Sequence, residues 1–143
     1  MTVRSASAHW DGNLFDGKGT VHLDSSDLAT FDVSWPRRTE DAEGWTSPEE
    51  LVGAAHAACY SMAFSNELAK AGATSSAVDV KADVTFGKTD NGMAITGIHL
   101  TVRGTVDGLD DAAFQTAAEG AKVGCPVSKA LTGTTITLDA QLV

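Results

Sequence analysis

Apolar and polar residues alternate through three stretches in the first third of the chain, Ser5 to Trp10, Thr20 to Asp24 and Phe31 to Trp35. Glycine- and aspartate-rich segments separate them, which predicts short strands joined by turns. The alternation breaks at a polar loop, TEDAEGWTS, from Thr39 to Ser47. A helix start follows. Ser47 is an N-cap candidate, Pro48 suits the first helical position, and Glu50 stands where a capping box with Ser47 requires it. The helix is expected to run to about Lys70 and to stop at Gly72. From Leu51 to Phe64, alanine and apolar residues cover most of its circumference, which predicts burial nearly all round. Alternation returns from Val78 to Val106, with Asp90 to Gly92 as a hairpin turn. A second helix fits Asp110 to about Lys122, with Phe114, Ala117, Ala118 and Ala121 on one face. Pro126 can open a short helix capped by Cys125, and Thr134 to Val143 closes the chain as a strand. The order predicts an α+β fold.

The sequence has 143 residues, one domain's length, without a linker, repeat or compositional break, so a single domain over 1–143 is expected. A domain this small rarely surrounds one helix by itself. The alanine-rich helix therefore points to a second subunit, the alternative being that the chain's own sheets suffice. Met1 to Trp10 has no apolar core of a signal peptide, and no apolar run approaches the ~20 residues of a membrane span. Two cysteines do not make a secreted disulfide framework. A cytoplasmic protein is expected, in which a functional thiol pair would cycle between redox states. The net charge of −9, with no basic stripe, argues against DNA or RNA as partners.

Cys59 lies mid-helix in an apolar setting, which raises a thiol's pKa and makes it inert unless a fixed positive charge is near. Lysine tends to lose its proton in such a place; arginine does not. A buried guanidinium in turn needs a carboxylate. Arg37 and Arg38, in the extended segment before the helix, and Glu49 and Glu50, in its first turn, supply the materials. Cys125, at a helix start, is favoured as a thiolate by free N–H groups and suits a resolving role, against a capping or packing role. His56, three residues before Cys59, admits a Cys/His pair or half a metal site. No CxxC or HxxxH supports a metal, and a packing histidine is the plainer expectation. Ser61, Ser65 and Ser128 carry no base signature.

With these residues laid out, the chain resembles the OsmC/Ohr family of thiol-dependent hydroperoxide reductases. The matching stretches are AHWDGNLFDGKGTV near the start, TSPEELVGAAHAACYSM on the main helix, GCPVSKAL around the second cysteine, and ITLDAQLV at the end. The resemblance implies the OsmC-like α+β fold, with antiparallel sheets packed around a buried central helix in an intertwined homodimer with sites at the subunit interface. It implies Cys59 as peroxidatic cysteine, Cys125 as resolving cysteine, and Glu49 as the carboxylate orienting an arginine. The family pattern favours Arg38 for that arginine, with Arg37 the alternative, and looks more like the OsmC branch than the Ohr branch.

The implied chemistry is reduction of organic hydroperoxides, and less well of hydrogen peroxide, through a Cys59 sulfenic acid and a Cys59–Cys125 disulfide. An external dithiol, of lipoyl type or another small one, regenerates the thiols, and no metal or organic cofactor is needed. Val52, Met62 and Phe64 are expected to supply an apolar lining. A redox-sensing binding protein, using the same cysteine pair without turnover, is the alternative of a different class.

Overall fold

The computed structural model describes Met1 to Val143 and falls into two compact units, Met1–Leu51 and Val52–Val143. The first holds an antiparallel meander of β1 (Ser7–Asp11), β2 (Lys18–His22) and β3 (Thr30–Ser34), then the helix α1 (Trp35–Thr39) and the first turn of α2 (Pro48–Ala71). Val21 pairs with Ala8 on one side and Phe31 on the other. The strands fall within two residues of their expected limits, the usual uncertainty of such boundaries.

The WPRR segment departs from expectation. It is not extended; Trp35–Thr39 is helical. The Ser34 hydroxyl accepts the Arg37 N–H at 3.4 Å, and Pro36 sits in the first turn, where its missing N–H costs no hydrogen bond. The alternation of FDVSW runs straight into this cap and masks it.

Helix α2 runs as expected and gives way to Gly72, whose φ of +99° suits glycine. Ser47 caps it, accepting the Glu50 N–H at 3.1 Å. The return half of the capping box is replaced, because the Glu50 carboxylate takes a hydrogen bond from the Thr46 hydroxyl at 2.5 Å. Burial all round the helix is not found. Gly53, His56, Tyr60, Phe64 and Leu68 form one buried stripe, while Ala54, Ala55, Ala58 and Met62 are exposed, Met62 at 68%. The buried positions recur at three- and four-residue spacing, so a single chain covers only one face.

The second unit pairs two long strands, β4 (Ser75–Thr89) and β5 (Gly92–Asp107), as an antiparallel hairpin. Strand β6 (Thr135–Leu142) joins the other edge of β5 in parallel. This corrects the expectation of antiparallel sheets. Two helices, α3 (Asp111–Gly124) and α4 (Pro126–Ala130), connect β5 to β6, and a crossover of that kind returns the chain in the same direction. Asp110 caps α3 through the Ala113 N–H at 2.8 Å, and Phe114, Ala117, Ala118 and Ala121 are buried as spaced.

The core lies in this unit. The Phe64 ring stands 5.7 Å from Tyr60 and 5.2 Å, edge-on, from Phe114, above Leu100 and Val102 of β5. Each such ring contributes about 1.5–3 kcal/mol by leaving water. Gly104 makes room for it, since a Cβ there would fall 2.6 Å from the Phe114 ring. Phe64 is wholly buried in this cluster, so it cannot line a substrate pocket as expected. No helix is long and apolar enough to cross a membrane.

Candidate active site

Two groups of chemically able side chains emerge, one in each unit. In the first unit α1 turns Arg37 and Arg38 toward different partners. Arg37 binds the Asp41 carbonyl at 3.1 Å and the Glu43 carboxylate at 2.5 Å. Arg38 binds Glu49 instead, donating from Nε to both carboxylate oxygens at 3.1 Å and from a terminal nitrogen to Oε1 at 2.6 Å. This side-on grip fixes the guanidinium plane as a single contact could not. Glu49 is 7% exposed and sits in the first turn of α2, where the helix dipole favours its negative charge. The Arg38 guanidinium also lies 5.8 Å from the Trp35 ring centre, within cation–π range. Of the two arginines, Arg38 has the expected carboxylate.

Arg38 borders an apolar pocket of about 290 Å³, walled by Trp10, Leu14, Val21, Val33, Trp35 and Leu51. The apolar wall is therefore built from the β-meander and α1, not from the expected Val52, Met62 and Phe64. Val52 packs against the core of the second unit, and Met62 faces outward.

In the second unit the thiols of Cys59, mid-α2, and Cys125, at the start of α4, are both free, and each bears on the other's ionisation. They differ in access. Cys59 is partly exposed, whereas Cys125 is fully buried. They also differ in acidity. Burial pushes the Cys59 thiol up against the pull of the Val127 backbone N–H, and Cys125 adds to the push. Burial opposes ionisation of Cys125 as well, but the Ser128 N–H, the Cys59 thiol, the Ser128 hydroxyl and the Val127 N–H together outweigh it and bring that thiol down.

His56 is fully buried, and its Nε2 meets the Ser128 hydroxyl at 2.8 Å. Burial lowers its pKa, so the imidazole is neutral. No three His, Cys, Asp or Glu side chains are grouped to hold a metal ion. The sequence offered no base for Ser128, because its partner His56 lies 72 residues away.

The model of the OsmC-like protein family matches residues 41–139. The chain is 46% identical over 143 residues to "Peroxiredoxin OsmC" of Escherichia coli (strain K12), covering 99% of each chain, and equally so to the protein of that name from Shigella flexneri. Among solved structures it is similar to the organic hydroperoxide resistance protein OhrB of Bacillus subtilis, at 24% identity and a TM-score of 0.75, covering 96% of this chain and 98% of that one. It is also similar to an organic hydroperoxide resistance protein OsmC from Legionella pneumophila, at 22% identity and a TM-score of 0.70, covering 99% of both. These two likenesses are of fold.

Proposed function

This chain belongs to the OsmC-like protein family and is a thiol-dependent peroxidase, and on that premise we propose that it reduces organic hydroperoxides, and hydrogen peroxide less well, through Cys59 and Cys125. The Cys59 thiolate attacks the terminal oxygen of the peroxide. The O–O bond breaks, the alcohol leaves, and Cys59 becomes a sulfenic acid. Cys125 condenses with it to a disulfide and releases water. An external dithiol, of lipoyl type or another small one, then restores both thiols by exchange, so no bound cofactor enters the cycle.

The observation that carries this assignment is a partly exposed Cys59 and a fully buried Cys125 whose thiols bear on each other's ionisation. Acidity alone would reverse the roles, because Cys125 is the more acidic thiol. Access decides: a peroxide can reach the partly exposed sulfur, and the buried one is placed to meet only its neighbour. The apolar pocket beside Arg38 supports a substrate with a hydrocarbon body.

Cys59 needs a cation, since burial pushes it away from ionisation. Arg38, oriented by Glu49, is that cation. Glu49 and Cys59 are ten residues apart on α2, roughly 15 Å along its axis and turned by about 280°, so they do not share a face. The arginine therefore comes from a second subunit, in a homodimer whose helices pack through the exposed Ala54, Ala55, Ala58 and Met62. Each site takes Cys59 and Cys125 from one chain, and Arg38 and Glu49 from its mate. The chain works as one domain in a cytoplasmic setting, where dithiols keep it reduced.

Consumption of cumene hydroperoxide with excess dithiothreitol tests the assignment. A peroxidase consumes many equivalents per chain. Consumption that stops after one equivalent would mean a sensor and overturn it.

A further inference from the structure

The cycle gives no part to the tip of the loop between β1 and β2, residues 12–17, where two large apolar side chains stand in water. Phe15 is 67% exposed and Leu14 half-exposed. Single apolar residues on a surface are ordinary; adjacent ones held beside a pocket call for a partner. The loop holds these two firmly. Asn13 Oδ1 accepts the Phe15 N–H at 2.9 Å and the Asp16 N–H at 3.1 Å, and the Asn13 amide donates to the Asp16 carboxylate at 3.1 Å. The Gly17 N–H closes back on the Asn13 carbonyl at 2.9 Å, and the Trp10 indole N–H donates to the Gly12 carbonyl at 3.0 Å. An asparagine-centred turn of this kind fixes the backbone that carries both side chains.

Both meet the apolar pocket of the first unit. Leu14 is one of its walls, and the Phe15 ring stands edge-on to Trp35, another wall, with centres 6.3 Å apart and planes at 88°. Trp35 in turn lies 5.8 Å from the Arg38 guanidinium, so ring, ring and cation follow one another beside the pocket. The pocket holds about 290 Å³. A cavity of about 150 Å³ is enough for benzene, so this one takes a substituted ring.

We propose that Phe15, supported by Leu14, is a specificity-determining residue that covers the hydrocarbon body of an aryl hydroperoxide seated against Trp35, leaving the peroxide group at Arg38. The inference rests on the peroxidase reading above and narrows its substrate class to hydroperoxides that carry an aromatic ring. Such a ring gains edge-on or offset contacts with Trp35 and Phe15. Hydrogen peroxide has no carbon to cover, and tert-butyl hydroperoxide has no ring to stack. A second subunit is the other candidate for this tip, but a stable interface takes roughly 800 Å² from each partner. Two apolar residues bounded by Asn13 and Asp16 fall far short of that and suit a ligand of one ring.

The test is kcat/KM for the peroxide in wild type, Phe15→Ala and Phe15→Tyr, with excess dithiothreitol. Cumene hydroperoxide, tert-butyl hydroperoxide and hydrogen peroxide are compared, and sedimentation of each protein gives its oligomeric state. One aromatic contact is worth between about twofold and about tenfold in affinity. Phe15→Ala is therefore expected to lower the preference for cumene hydroperoxide over hydrogen peroxide about fivefold, with tert-butyl hydroperoxide shifted less. Phe15→Tyr keeps the ring and should keep the preference. An equal fall for all three peroxides, or an altered oligomeric state in Phe15→Ala, overturns the inference, since the tip would then serve the fold or subunit pairing. A preference unchanged in Phe15→Ala overturns it as well. A wild type that consumes no more than one equivalent of any of the three fails the peroxidase reading itself, and the inference falls with it.

Discussion

Replacing either partner of the Arg38–Glu49 pair should affect activity alike but stability unequally. The Glu49 side chain is 8% exposed and the Arg38 side chain 29% exposed. Arg38→Met strands an unpaired carboxylate in a nearly dry place, and breaking a buried pair in this way costs about 3–5 kcal/mol. Partial access of water to the arginine side lowers the expected cost to about 2–3 kcal/mol. Glu49→Gln leaves a guanidinium that still reaches water and the Trp35 ring, and Gln keeps one acceptor for it, so about 1 kcal/mol is expected. The double variant strands no charge and should be more stable than Arg38→Met alone. Urea unfolding at one fixed protein concentration reads this order from the midpoints, provided the slopes agree. Peroxide consumption reads the other half. Arg38→Met and the double variant should both be nearly inactive at neutral pH, with Cys59 oxidation recovering as pH rises, because the thiolate then forms without a cation. If Glu49→Gln destabilised as much as Arg38→Met, the argument from unequal burial would be wrong. If Arg38→Met oxidised at the wild-type rate at neutral pH, the arginine would have no place in the site.

Inactive Cys59→Ser and Arg38→Ala chains, unfolded together and refolded as mixed dimers, should regain part of the activity, since one of the two sites in each heterodimer is then intact. Verified heterodimers without activity would return the arginine to the same chain as its cysteine. Tyr60→Phe removes the hydrogen bond to the Ala118 carbonyl, 2.9 Å long and buried, and should cost about 1–2 kcal/mol in urea unfolding while disulfide formation persists; an unchanged midpoint would mean that carbonyl finds another partner.

The elements were legible because each carries its own local signal. Ser47 and Pro48 mark the start of α2 and Gly72 its end, and Asp110 marks the start of α3. The parallel placement of β6 was not, since direction depends on how α3 and α4 cross over, which no window of sequence records. Helix α1 was missed because the cap at Ser34 lies inside an alternating run. The one-sided burial of α2 escaped a reading based on alanine, which is equally at home on a core face and on a surface awaiting another subunit. Cys59 and Cys125 stood out through residue type and position, whereas Arg38 and Glu49 were singled out from Arg37 and Glu50 by the family resemblance. The pairing of Arg38, and not Arg37, with Glu49 needed the geometry of α1. The contact of His56 with Ser128 is purely tertiary, and so is the pocket wall of Trp10, Val21 and Trp35.

The account stands most directly on the intact mass of the protein after one equivalent of cumene hydroperoxide, with peptide mapping of the product. Wild type should lose two hydrogens as a Cys59–Cys125 disulfide forms and one equivalent of alcohol appears. Cys125→Ser should stop at a sulfenic acid on Cys59, and Cys59→Ser should consume no peroxide. A wild type that keeps its mass, or a Cys59→Ser protein that still reduces the peroxide, would contradict it.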